Sequence, residues 1–201
     1  MILIGYSGHA FVVSGILKSA GIAVHGYCDN EEKSVNPFDL TYFGTERSEG
    51  GLAAIREHGC FVAVGDNAIR KKIYDNLVQQ DIYPSNAIHA TAFIDPSAGI
   101  AAQAVMISAG AIINPLAKIE TGAIINTGCI IEHECRVGAF AHIGPGAVLC
   151  GNVSVGEGTF VGANAVVRQG ISIGKNVMIG AGAVVIKNVP DDVTVMGVPA
   201  K

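Results

Sequence analysis

The sequence predicts a two-part chain: a small Rossmann-like α/β unit over residues 1–86 and a parallel β-helix over residues 87–201. Three observations carry this. Short apolar runs alternate with helix-like segments as far as residue 86. An aliphatic residue then recurs every six positions. Gly supplies 26 of the 201 residues, about twice the usual share, while charged residues supply only 15%.

Taken in order, Met1 to Gly5 reads as a buried strand followed by a turn at Tyr6 to His9. Ala10 to Ala20 carries Phe11, Val12, Ile16 and Leu17 near helical spacing, and Gly21 fits the stop. Ile22 to Cys28 is a second strand, ending at Asp29 and Asn30. Glu31 to Asp39 is polar, contains Pro37, and reads as a loop. Glu46 to His58 is helical, Cys60 to Val64 a third strand, and Ala68 to Gln80 a helix with Ile69, Ile73 and Leu77 four apart. Strand and helix in alternation imply a parallel sheet with right-handed crossovers.

From Ile107 to Val185, fourteen successive positions six apart are all aliphatic. The fourteen positions four residues after each, Ala111 to Val189, are all small or apolar. Ile88, Ile94 and Ile100 begin the series, with a one-residue slip before Ile107. No helix satisfies a strict period of six. Each hexad instead makes one short strand and one turn, and three hexads close a triangular coil. The aliphatic residue points inward and the small one fits the corner. Gly138, Gly144, Gly156, Gly162, Gly174 and Gly180 follow the aliphatic residue, where unusual backbone angles are expected.

Composition excludes several classes. A net charge of −4 supplies no basic patch for nucleic acid. Pro96 to Ala117 is charge-free, but Gln103, Asn114 and Pro115 interrupt it, so a membrane span is not expected. Five cysteines without paired spacing argue against a disulfide framework, and the apolar start before Gly5 is too short for a signal peptide. The expected compartment is the cytoplasm.

Four segments narrow the reading: Gly5 to His9; Gly65 to Ile73; Asn126 and Thr127 with Ile131 to Cys135 and His142; and Gly197 to Lys201. The hexads resemble the left-handed β-helix of hexapeptide-repeat acyltransferases. With these segments the chain resembles the family of sialic acid O-acetyltransferases and nucleotide-sugar 4-amino N-acetyltransferases, over nearly its whole length. The resemblance implies acetyl-CoA as acyl donor, a UDP-linked amino-deoxy sugar as acceptor, no metal, direct transfer without an acyl-enzyme, and a homotrimer with its site between subunits.

The chemistry needs a base to take a proton as the amine attacks, and His titrates in the right range. His133 is the candidate, with the adjacent Glu134 hydrogen-bonded to it by resemblance. His142 lies half a coil further on and cannot stack on His133 in its own subunit; the family sets a matching His against acetyl-CoA. Pro145, Ala163 and Ala181 are 18 residues apart and should form one outward column, with Gly144, Gly162 and Gly180 beside it. That small-residue groove would admit the pantetheine arm, and the family positions matching Ala163 and Ala181 contact acetyl-CoA. The turn after the first strand sets backbone N–H groups at a helix start, which favours an anion. By resemblance Ser7, Gly8, His9, Asp29, Asn30 and Gly65 hold the nucleotide-sugar; Tyr6 and Asn30 depart from the small residue and the acid common in the family.

Three other readings remain open on the residues alone: sugar O-acetylation, a non-catalytic nucleotide-sugar-binding scaffold, and a metal-dependent hydratase with a three-His site shared between subunits. Cys129 and Cys135 fall in the inward column, away from His133, and read as buried apolar residues.

Overall fold

The computed structural model describes all 201 residues. The N-terminal unit runs β1 (Ile2–Ile4), α1 (Gly8–Ser19), β2 (Gly26–Cys28), β3 (Thr41–Tyr42), α2 (Glu49–His58), β4 (Cys60–Val62) and α3 (Asn67–Val78). The sheet order is β3-β2-β1-β4, all parallel. Strand alternation splits the core: Leu3, Tyr27 and Phe61 face Val13 and Leu17 of α1, while Ile2, Ile4 and Val62 face Ile55 of α2 and Leu77 of α3.

The expected elements form, with shifted ends. α1 starts at Gly8, two residues early. α2 starts at Glu49, three residues late, because Ser48 caps it by accepting from the Gly51 N–H at 3.2 Å. β2 loses Ile22 to His25, since Gly21 at φ +72° turns the chain and the Ile22 N–H bonds back to the Leu17 carbonyl at 2.9 Å. The edge strand β3 was not expected; two residues between polar loops carry no period.

The second unit is a triangular prism of two-residue strands, with parallel faces of seven, six and five strands. All fourteen hexad aliphatics from Ile107 to Val185 are the second residue of a strand and are buried, and all fourteen small or apolar partners are buried with them. The slip before Ile107 is bridged by Asn86, whose amide donates to the Ala101 carbonyl at 2.8 Å and accepts from the Val105 N–H at 2.9 Å.

The expectation about the glycines needs correction. Those following the aliphatic residue have no positive φ. They are small because the next coil lies over them: a Cβ on Gly144 would stand 2.7 Å from the Val161 carbonyl oxygen, and one on Gly162 2.5 Å from the Ala181 nitrogen. Positive φ belongs instead to a third column, every sixth residue from Gly110 to Gly182. Ten of its thirteen members are Gly or Asn, which tolerate that region; the exceptions are Leu116, Glu134 and Phe140.

Candidate active site

In an open parallel sheet, ligands bind beyond the carboxyl ends of the strands, where the strand order reverses. Here that point lies between β1 and β4. A cavity of about 300 Å³ opens there, lined by Ser7, Asp29 and Asn30 together with Arg47 and Lys72. Ser7 precedes α1 without capping it through its side chain, so the hydroxyl and first-turn N–H groups remain available to an anion. Asp29 shapes the loop: its carboxylate accepts from the Tyr6 N–H at 2.9 Å and the Asn30 N–H at 2.7 Å, and it lies 3.3 Å from the Lys33 ammonium. Tyr6 is buried, stacks on Tyr27 at 4.2 Å, and donates to the Asn36 side chain at 2.8 Å. It pins the polar loop beside the cavity. Sequence reading gave Arg47 and Lys72 no role: Arg47 belongs to no motif, and Lys72 stood within the Gly65 to Ile73 segment without being singled out.

A second cavity, of about 680 Å³, lies between the two units, where Gly65, Asn67 and Lys71 meet Phe140, His142 and Phe160. Arg70 sits beneath it, 1% exposed. Its guanidinium donates to the Val64 and Gly65 carbonyls at 3.2 and 3.0 Å, to the Asn67 side chain at 2.9 Å, and to the Gly122 and Phe140 carbonyls at 2.9 Å each. These five bonds join the two units through a buried cation that has no carboxylate partner. Burial pulls its pKa down to about 10. Asn67 adds a bond to the Gly158 carbonyl at 2.8 Å.

Above Arg70 stand His9 and His142, with ring centroids 6.2 Å apart. Burial first, then the Arg70 charge, pushes both down to about 4, so both are neutral at pH 7. The His142 Nδ1 lies 3.3 Å from the Gly65 carbonyl, which only accepts, so Nδ1 carries the proton. Nε2 then accepts from the Asn126 amide at 3.1 Å. The His9 Nε2 is buried and has no partner. His142 thus belongs with the inter-unit cavity of its own chain, beside His9 and Gly65.

His133 stands elsewhere, in the turn leading from the six-stranded to the five-stranded face. It is exposed, and its Nδ1 lies 3.1 Å from Glu134 Oε2. The carboxylate accepts, so Nδ1 is protonated and Nε2 is the free basic nitrogen. Glu134 reaches its neighbour from a left-handed turn, φ +62°, with its N–H bonded to the Pro115 carbonyl at 3.0 Å. The ring lies over Gly151, one coil on: a Cβ there would stand 2.5 Å from Nε2. The Gly151 N–H donates to no acceptor within the chain. Cys135, next to Glu134, is buried inside the prism. No group of three His, Cys, Asp or Glu side chains converges in a metal-holding arrangement.

The two columns expected to form the groove differ in exposure. Pro145 and Ala181 are exposed and Ala163 is half-buried, in register along one edge of the six-stranded face. Gly162 is buried beneath the Ala181 backbone, and Gly180 faces Met196, so these glycines answer to coil stacking. Gly8 lies in the first turn of α1 and lines neither cavity. No helix is long and apolar enough to cross a membrane.

Comparison with known proteins adds four findings. Residues 1–77 match the family described as PglD N-terminal domain, and residues 134–169 and 152–187 match the bacterial transferase hexapeptide and the succinyl-transferase hexapeptide repeat. Over its full length the chain is 38% identical to a mutant of perosamine N-acetyltransferase from Caulobacter crescentus in complex with CoA and GDP-perosamine, covering 94% of that chain with a TM-score of 0.92. It is 34% identical to the acetyltransferase domain of PglB from Neisseria gonorrhoeae in complex with acetyl coenzyme A, covering 100% of this chain and 97% of that one, TM-score 0.88. WeeI from Acinetobacter baumannii shares the fold at 20% identity, TM-score 0.78, over 100% of this chain and 97% of that one.

Proposed function

Because the chain belongs to the hexapeptide-repeat family of nucleotide-sugar N-acetyltransferases, we propose that it moves the acetyl group of acetyl-CoA onto the 4-amino group of a nucleoside-diphosphate-linked 4-amino-4,6-dideoxy sugar. The observation that carries the reading is the His133–Glu134 pair, with Nε2 left basic and open. The neutral amine attacks the thioester carbonyl and the C–N bond forms. His133 Nε2 takes the amine proton, and the imidazolium is stabilised by Glu134. The vacant Gly151 N–H stands ready for the developing oxyanion. Collapse breaks the C–S bond, and the proton held by His133 passes to the departing CoA thiolate.

The nucleotide is assigned to the cavity of Ser7, Asp29 and Asn30, where Arg47 and Lys72 supply two positive charges for a diphosphate. The sugar then extends past Gly65 towards His9 and His142. Ala163 and Ala181 are assigned to the CoA arm. The sequence resemblance favours UDP, and the perosamine enzyme was crystallised with a GDP-sugar; turnover of the two forms of one amino sugar decides between them.

The sugar cavity and His133 stand on different sides of the same prism, which supports a site completed by a neighbouring copy. The six-stranded face supports it too. Its outward residues Phe93, Ile112, Ile130, Val148, Val166 and Val184 form one apolar ladder in register. The five-stranded face presents Lys118, Arg136, Ser154 and Ser172 instead. A continuous apolar face calls for cover, and a closed ring of three copies supplies it.

The test is turnover of nucleotide-linked amino sugars against sugars with free hydroxyls only, for the wild type and His133→Ala. Acetyl transfer to the amine, lowered about 10²–10⁴-fold in the variant with the oligomer intact, is the expected result. Near-normal turnover by the variant removes His133 as base, and transfer only to hydroxyls makes the protein an O-acetyltransferase.

A further inference from the structure

The cavity beyond the carboxyl ends of the small sheet holds two carboxylates, Asp29 and Glu46. Asp29 is engaged by the Tyr6 and Asn30 N–H groups and by Lys33. Glu46 is not. Its side chain is only 14% exposed, and it meets the Arg47 Nε at 3.2 Å without the alignment of a hydrogen bond. No other donor of the chain reaches its oxygens, and they are not sealed from the cavity. A mostly covered carboxylate of this kind calls for donors from whatever fills the space beside it.

The backbone fixes Glu46 in that place. Gly44 turns at φ +85° after β3, and its carbonyl accepts from the Asp29 N–H at 3.1 Å. Ser48 closes the turn on the far side: its hydroxyl donates to the Thr45 carbonyl at 2.8 Å, and its N–H to the same carbonyl at 3.1 Å. Glu46 therefore stands beyond the carboxyl end of β3, one strand further out than Asp29 in the order β3-β2-β1-β4. A nucleotide laid across such a sheet sets its phosphates at the N-terminus of the helix after the first strand, and its ribose beyond the second. The same direction carries the base to Glu46.

An ionised carboxylate only accepts, through two oxygens side by side. Of the common bases, guanine alone presents two donors side by side, N1–H and the 2-amino group. Uracil presents one N–H between two carbonyl oxygens, which a carboxylate repels. Adenine and cytosine set an amino group beside a bare ring nitrogen. We propose that Glu46 selects the base of the nucleotide-sugar, one oxygen accepting from guanine N1–H and the other from the 2-amino group, so that the acceptor substrate is a guanosine-diphosphate-linked sugar. This inference rests on the reading of the cavity as the nucleotide site.

The experiment is calorimetry of the wild type and Glu46→Gln with GDP, inosine diphosphate and UDP. The wild type should bind GDP about tenfold or more tighter than UDP, with inosine diphosphate, which lacks the 2-amino group, in between. In Glu46→Gln the ratio of GDP to UDP affinity should shrink about tenfold, because the Gln amide sets a donor against a donor. The ratio is the readout, since freeing Arg47 acts on the diphosphate that both ligands share. UDP binding as tightly as GDP to the wild type, inosine diphosphate matching GDP, or a ratio kept within threefold in the variant overturns the proposal. Failure of the wild type to bind any of the three overturns the parent reading of the cavity, and that outcome is visible without the variant.

Discussion

His133 and Glu134 are neighbours in the chain, and adjacent side chains ordinarily diverge. The left-handed turn at Glu134 brings the carboxylate to the imidazole and leaves Nε2 over Gly151. Gly151 itself has no positive φ, so its size matters for the ring and not for the backbone. Gly151→Ala should therefore push the His133 ring off its seat and lower kcat by about tenfold or more, while the melting temperature stays within a few degrees. Unchanged kcat would show that the ring finds another productive pose. The third column also shows what was legible at this scale. Gly and Asn recur every six residues in plain sight, and Leu116, Glu134 and Phe140 break the run. That break is a sequence signal for Phe140 that went unused.

At the scale of elements, α3 matters more than its weak amphipathic pattern implies. It delivers Arg70 to five acceptors drawn from both units. Charge-assisted hydrogen bonds contribute about 1.5–3 kcal/mol each, and stranding the carbonyls adds cost. Arg70→Met should thus destabilise the protein by about 3 kcal/mol or more, read as a lower urea midpoint. The same charge helps to keep His9 and His142 neutral. Their folded pKa values, about 4, lie below the ordinary 6.5, so the unfolded chain binds more protons between those values. Stability is full above pH 6.5 and falls as the pH drops towards 4, by on the order of 3 kcal/mol per imidazole. Urea melts from pH 7 to pH 4.5 should show that loss, and His9→Gln should reduce it. A pH-independent midpoint would contradict the buried, neutral assignment. Nothing in the order of residues marks Arg70 as buried; Arg is mostly exposed, and its acceptors are carbonyls from distant coils.

For the whole molecule, the decisive surface is the apolar ladder on the six-stranded face. A charge in its middle should oppose association, because a buried unpaired carboxylate is costly. Ile130→Glu is expected to yield folded monomers, seen by sedimentation and an unchanged far-UV spectrum, with acetyl transfer lost because the sugar cavity and His133 no longer meet. Full activity in the monomer would place both halves of the site in one chain.

The period of six was enough by itself to determine the prism, its inward columns and the place of His133 and Glu134 in a turn, because each hexad repeats the same local geometry and neighbouring coils see the same register. The small α/β unit was readable for the same local reason, apart from element ends set by single caps and an edge strand too short to show a period. What the tertiary structure alone decided was which residues meet across distance. It set Arg70 between the units, gathered Arg47 and Lys72 beside Ser7, put His142 beside His9, and showed that the glycine column answers to the next coil. Arg70 and His142 are placed by how the two separately legible units dock, through hydrogen bonds and burial between residues that share no spacing in the chain; Arg47 and Lys72 meet by the fold of the small sheet, and the glycines by the stacking of successive coils.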